Sequence, residues 1–151
     1  MYTLVRRYIK TAIVFLVIGL GIGLWIVIER ELFQRYPEPY LVSAHTHAIL
    51  VGFVMMMILG VALWLFPRPD REDTQYRPGV AERAYWLLTA GTAGRIVSEI
   101  LRASVALAAV RWAVVLASTA QVVGILLFFW TMWSRIRPVG SRAREQRGER
   151  F

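Results

Sequence analysis

One apolar block, headed by both histidines of the chain, constrains the fold more than any other feature. From Leu41 to Phe66 the only strongly polar side chains are Ser43, His45, Thr46 and His47, all within the first seven residues. As a helix rising roughly 1.5 Å per residue, the block exceeds a hydrocarbon core of about 30 Å. It is a membrane span. Ionisable or metal-binding side chains are costly inside a bilayer, so His45 and His47 are candidate functional residues by default.

Three further blocks have comparable length. Thr11 to Ile28 follows Arg6, Arg7 and Lys10, and its apolar core is too long for a signal peptide and lacks a small-residue cleavage site after it. The alternating Gly19, Gly21 and Gly23 within it suit close helix packing. Proline at Pro37 and Pro39 breaks the chain before the second block, and Phe66-Pro67-Arg68-Pro69 stops that block. The expectation is an all-α integral membrane protein, a four-transmembrane-helix antiparallel bundle in residues 1–134. Its spans are placed at about 11–28, 41–66, 84–108 and 112–133, with an Arg111-Trp112 corner and a basic tail at 135–151.

The formal net charge of +8 would suggest nucleic acid in a soluble protein. Here Lys and Arg gather in the N-terminal segment, the Arg68 to Arg83 connection and the tail, where the positive-inside rule accounts for them. Nucleic-acid binding is therefore not expected. Both termini are expected on the cytoplasmic side of the cell's inner membrane, amid membrane lipid, with the histidines within about two turns of the outer surface. The absence of cysteine excludes disulfides and thiolate metal sites.

Each helical residue turns about 100°, so His45 and His47 point roughly 200° apart. From one helix they cannot share a metal ion, unlike the i, i+4 pairs of zinc enzymes. That excludes the simplest mononuclear zinc or copper site. Met55, Met56 and Met57 are soft donors, but they begin two turns deeper and read as packing. A planar haem between helices asks less of a chain: one or two axial ligands, for which histidine is usual, and apolar walls. With two histidines in all, bis-histidine ligation needs His45 of one copy and His47 of the next, a head-to-tail contact that can close into a ring. The plainer alternative is two histidines hydrogen-bonded near the membrane surface.

Arg95, Glu99 and Arg102 lie at i, i+4 and i+7 on one helix face, coming up to the level of the histidines. They form either a self-neutralising ladder or a cationic site whose arginines pair with haem propionates. Arg111 could also reach a propionate, whereas Trp112 reads as an interfacial anchor. Gln121 and Ser118 read as interhelical hydrogen bonders, and Glu99 as a proton carrier lacks a visible chain of partners.

The run Ala44-His45-Thr46-His47-Ala48-Ile49-Leu50-Val51-Gly52-Phe53, continuing through Gly60-Val61-Ala62 to Leu65-Phe66-Pro67-Arg68, resembles the second helix of the haem-copper oxidase and nitric oxide reductase catalytic subunit. It is most similar to short, single-module relatives of that subunit. The resemblance implies that His45 is an axial ligand of a low-spin haem. That subunit has twelve helices in three pseudo-equivalent arcs of four, and one helix carries a His-x-His pair serving haems on its two sides. By resemblance, this chain is one arc and a homotrimer rebuilds the whole. The family's copper site needs further histidines, which this chain lacks, and its crosslinked tyrosine has no counterpart. Dioxygen reduction by the family mechanism is not expected.

The resulting expectation is a b-type haem protein with iron held by His45 and His47, and with Arg95, Arg102 and Arg111 as further haem-binding candidates. Its work would be electron transfer or redox sensing, with an electron donor and acceptor the sequence does not name. Two alternatives stay open: a site with one free axial position that binds or reduces nitric oxide or dioxygen, and an accessory subunit of a respiratory complex.

Overall fold

The computed structural model describes residues 2–66, 77–136 and 147–148, and among them all regular structure is helical. Helix α1 is Tyr2–Leu32. The second rod is built from α2 (Pro39–His47), a π-helical segment (Ala48–Met55) and α3 (Met56–Leu65). Helices α4 (Pro78–Ser104) and α5 (Ala108–Met132) follow, α5 ending in a 3-10 turn at Trp133–Arg135. Pro39 and Pro78 open their helices, where the missing N–H costs nothing. Beyond α1, Gln34 takes a left-handed conformation (φ 51°) and the Arg35 N–H donates to the Glu29 carbonyl at 3.1 Å, turning the chain back.

Two hairpins make up the molecule. In one, α1 lies along the whole second rod; in the other, α4 pairs with α5. They join at one end through α2 on α4, and at the other through α1 on α4, where Arg7 pairs with Glu82 (2.6 Å) and the Thr11 and Tyr85 hydroxyls meet at 2.8 Å. The core between them holds Tyr8, Phe15, Met56, Leu59, Leu63, Leu88, Phe128 and Met132. Met55 and Met57 pack against that core, so the methionine triplet fills space between helices.

Thr3–Leu32, Pro39–Leu65 and Ala108–Arg135 are long and apolar enough to cross a membrane. Helix α4 carries Glu82, Arg83, Arg95, Glu99 and Arg102 and falls outside that group, although it is as long. It turns a polar face inward, burying Thr92, Ser98 and Glu99.

Helix α1 runs past the expected span 11–28 at both ends, because its charged flanks are good helix formers and continue the hydrogen-bonded rod. Two expected boundaries need correction. The third and fourth segments part at Val105–Leu107 rather than at Arg111-Trp112, which lie inside α5. Val105 is extended (φ −135°, ψ 127°), and no Gly, Pro or charge marks that break in the sequence. Arg135, placed at the start of a solvated tail, is only 2% exposed: its guanidinium donates to the Leu63 (3.2 Å) and Phe66 (3.0 Å) carbonyls at the end of α3. A cation there meets orphan carbonyls and the negative end of the helix dipole. The rest of the expected tail, apart from Ile136 and residues 147–148, lies outside the described residues, as does the connection 67–76.

Helices α4 and α5 approach backbone to backbone. A Cβ at Gly91 would sit 2.8 Å from the Ala117 carbonyl oxygen, and one at Gly124 would sit 2.9 Å from the Leu88 nitrogen. Overpacking costs roughly 1–3 kcal/mol and outweighs the gain of about 1 kcal/mol from replacing a helical glycine with alanine. Gly91→Ala and Gly124→Ala are therefore expected to destabilise the protein in detergent unfolding titrations. Gly21→Ala, with nothing within 4 Å of the new methyl, should be neutral or slightly stabilising.

Candidate functional site

Both histidines occupy the last turn of α2, and the π-helical segment begins at the next residue. Such widened turns recur at functional sites. The rings face opposite sides of the rod. His45 faces α1, with Nδ1 at 2.8 Å from the Gly19 carbonyl oxygen. Its ring lies on Gly23, where a Cβ would come within 2.7 Å of His45 Cε1. His47 faces α4, with Nδ1 at 2.8 Å from the Ser43 carbonyl and 3.9 Å from Glu99 Oε2.

A carbonyl oxygen only accepts, so each Nδ1 carries a proton, and in the neutral ring Nε2 is left with a lone pair. Neither Nε2 has a hydrogen-bond partner among the described residues. Both histidines are half-buried. An imidazole held at Nδ1 by an acceptor, with Nε2 free, is the usual arrangement of a metal-ligating histidine.

Beside His47 runs a buried polar chain. Glu99, 2% exposed, accepts through Oε1 from the Ser43 hydroxyl (2.7 Å) and from Arg95 Nε (3.0 Å). Arg95 reaches the Gln121 side-chain oxygen at 3.5 Å, and the Gln121 amide donates to the Thr92 hydroxyl at 3.0 Å. The chain thus links α2, α4 and α5. Glu99 Oε2 has no hydrogen-bond partner among the described residues, with the His47 ring 3.9 Å away.

The Arg-Glu-Arg ladder is only half formed. Arg95 pairs with Glu99, but Arg102 turns away, donating to the Val105 carbonyl at 3.1 Å with its guanidinium 5.5 Å from the centre of the Tyr40 ring. Its Nε is buried without a hydrogen-bond partner among the described residues. Arg111 is exposed on the first turn of α5, apart from the network. Gln121 bridges helices as expected, whereas Ser118 bonds the Val114 carbonyl of its own helix at 2.6 Å. Among the described residues no three His, Cys, Asp or Glu side chains gather as a metal-ion site.

Sequence reasoning missed Ser43 and Gly23. Ser43 lies four residues before His47, on the same helical face, which was the available signal. Gly23 was read as a packing glycine; only the tertiary pairing of α1 with α2 shows that its missing side chain makes room for an imidazole.

A profile of the family described as cytochrome c and quinol oxidase polypeptide I matches residues 3–146. No curated protein and no solved structure matches the chain.

The seat of His45 makes a specific demand on α1. In histidine-labelled protein, the Nδ1–H resonance of His45 is expected to exchange slowly with solvent. Gly23→Ala should dislodge the ring and abolish that protection, whereas Gly21→Ala should leave it intact.

Proposed function

The chain belongs to the cytochrome c and quinol oxidase polypeptide I family, and from that premise we propose that it is a membrane haem protein in which iron is held between copies of the chain. Proteins of this family bind haem, and family and apolar helices together make this a multi-pass membrane protein. The finer reading is a homotrimer in the inner membrane, with four spans and both termini cytoplasmic. In it His45 of one copy and His47 of the next are the axial ligands of a non-covalent b-type haem.

The observation that carries the reading is the pair of back-to-back imidazoles, each tied at Nδ1 and without a partner at Nε2 among the described residues. They fit the two axial positions of a haem iron by chemistry, and their divergence requires that the two come from different chains. A haem with both positions filled supplies one-electron transfer.

The chain's own residues hold and orient. The Gly19 carbonyl and the Gly23 surface fix the plane of His45, and the Ser43 carbonyl fixes His47. Of the three arginines, Arg102 is partly exposed and donates to the Val105 carbonyl of its own helix end, which leaves it better placed to meet a propionate than Arg95, committed to Glu99 and Gln121. Arg111, exposed at the same end, is a second cation for that role.

Purified in detergent, the protein is expected to show a low-spin haem spectrum that carbon monoxide does not alter, in a particle of three chains. His45→Ala and His47→Ala should each lose the pigment. Colourless wild-type protein would contradict the reading, and a spectrum shifted by carbon monoxide would favour a gas-binding site with an open position.

A further inference from the structure

We propose that Glu99 is a positioning residue for His47 and sets the two axial ligands apart electronically, lowering the reduction potential of the haem they share. The inference rests on the haem reading above. It begins from a difference between the two histidines that the pattern His-Thr-His does not show.

His45 is backed by a neutral acceptor, the Gly19 carbonyl at 2.8 Å. His47 has the Ser43 carbonyl at 2.8 Å, and behind it a carboxylate. The Ser43 hydroxyl joins the two, donating to Glu99 Oε1 at 2.7 Å and standing 3.3 Å from His47 Nδ1. The second oxygen, Oε2, has no hydrogen-bond partner among the described residues although Glu99 is only 2% exposed, and it faces His47 Nδ1 at 3.9 Å.

A buried acceptor without a donor is costly, and more so for a charged group. A shift of about 1 Å would let the Nδ1–H be shared between the Ser43 carbonyl and Oε2. Arg95 Nε, 3.0 Å from Oε1, supplies the counter-charge that lets the carboxylate remain in the interior, and Gln121 steadies Arg95 from α5.

A carboxylate behind a ligating imidazole makes the ligand more basic and favours the more highly charged iron. One axial ligand would therefore be electron-rich and the other ordinary. The negative charge of Glu99 acts in the same direction through a poorly screened interior.

The test is a potentiometric titration of the purified haem-loaded protein, wild type against Glu99→Gln, with electron paramagnetic resonance of the oxidised form. The expected result is a retained six-coordinate spectrum with a higher midpoint. A tenfold change in the preference for oxidised over reduced iron corresponds to about 59 mV for one electron. The resonance anisotropy should change with it, because the carboxylate no longer backs the His47 ring. Since Glu99→Gln leaves Arg95 without its counter-charge, Arg95→Gln/Glu99→Gln serves as a second variant that removes both charges; its midpoint should also rise, by less. A merely structural Glu99 would alter haem content or thermal stability but neither potential nor resonance, and that outcome overturns the proposal while leaving the haem reading in place. Colourless wild-type protein overturns both.

Discussion

A helix turns about 100° per residue, and the proposed function rests on two histidines placed two residues apart on it. His45 is delivered to α1 and His47 to α4, so neighbouring residues of one rod serve opposite flanks of the protomer. No side-chain rotation reverses this, because each imidazole is anchored at Nδ1 by a backbone carbonyl that is itself part of a helix. In the proposed reading each ring is half of a site, and joining the halves is a matter of assembly.

Helix α4 shows how the interior tolerates the charge this arrangement brings. Its Glu99 is buried, and breaking a buried ion pair typically costs about 3–5 kcal/mol, so the contacts of Arg95 with both Glu99 and Gln121 bear on stability as well as on the site. The close backbone contact of α4 with α5 at Gly91 and Gly124 holds Gln121 within reach of Thr92 and Arg95. Packing by small residues and a polar chain therefore depend on one another. The helix that is least like a membrane span by hydropathy is the one whose polar face is turned most fully toward its neighbours.

Much of this was legible in the residues. The apolar blocks announced helices, the spacing of His45 and His47 announced divergence, and the run from Ala44 to Phe53 announced the family that the profile match supports. Most of what escaped had no local signature. The break at Val105–Leu107 lies in an apolar stretch without Gly or Pro, and Arg135 looks like any basic residue after a span until the end of α3 is seen above it. Gly23 and Ser43 acquire their roles only through partners 22 and 4 residues away, counting to His45 and His47 respectively. Long-range pairing is the missing information for Arg135 and Gly23, whereas the Ser43 contact is local and its i, i+4 spacing to His47 was there to be read.

The central claim, that each iron is gripped by His45 of one copy and His47 of another, is tested most directly by co-expressing His45→Ala and His47→Ala chains carrying different tags and purifying the mixed assembly through both. Each variant alone should be colourless. In the mixture, an interface between a chain that retains His45 and one that retains His47 is whole again, so pigment should return with an unaltered low-spin spectrum. A mixed assembly that forms but stays colourless would contradict the account, because it would place both ligands of an iron within a single polypeptide or remove the iron altogether.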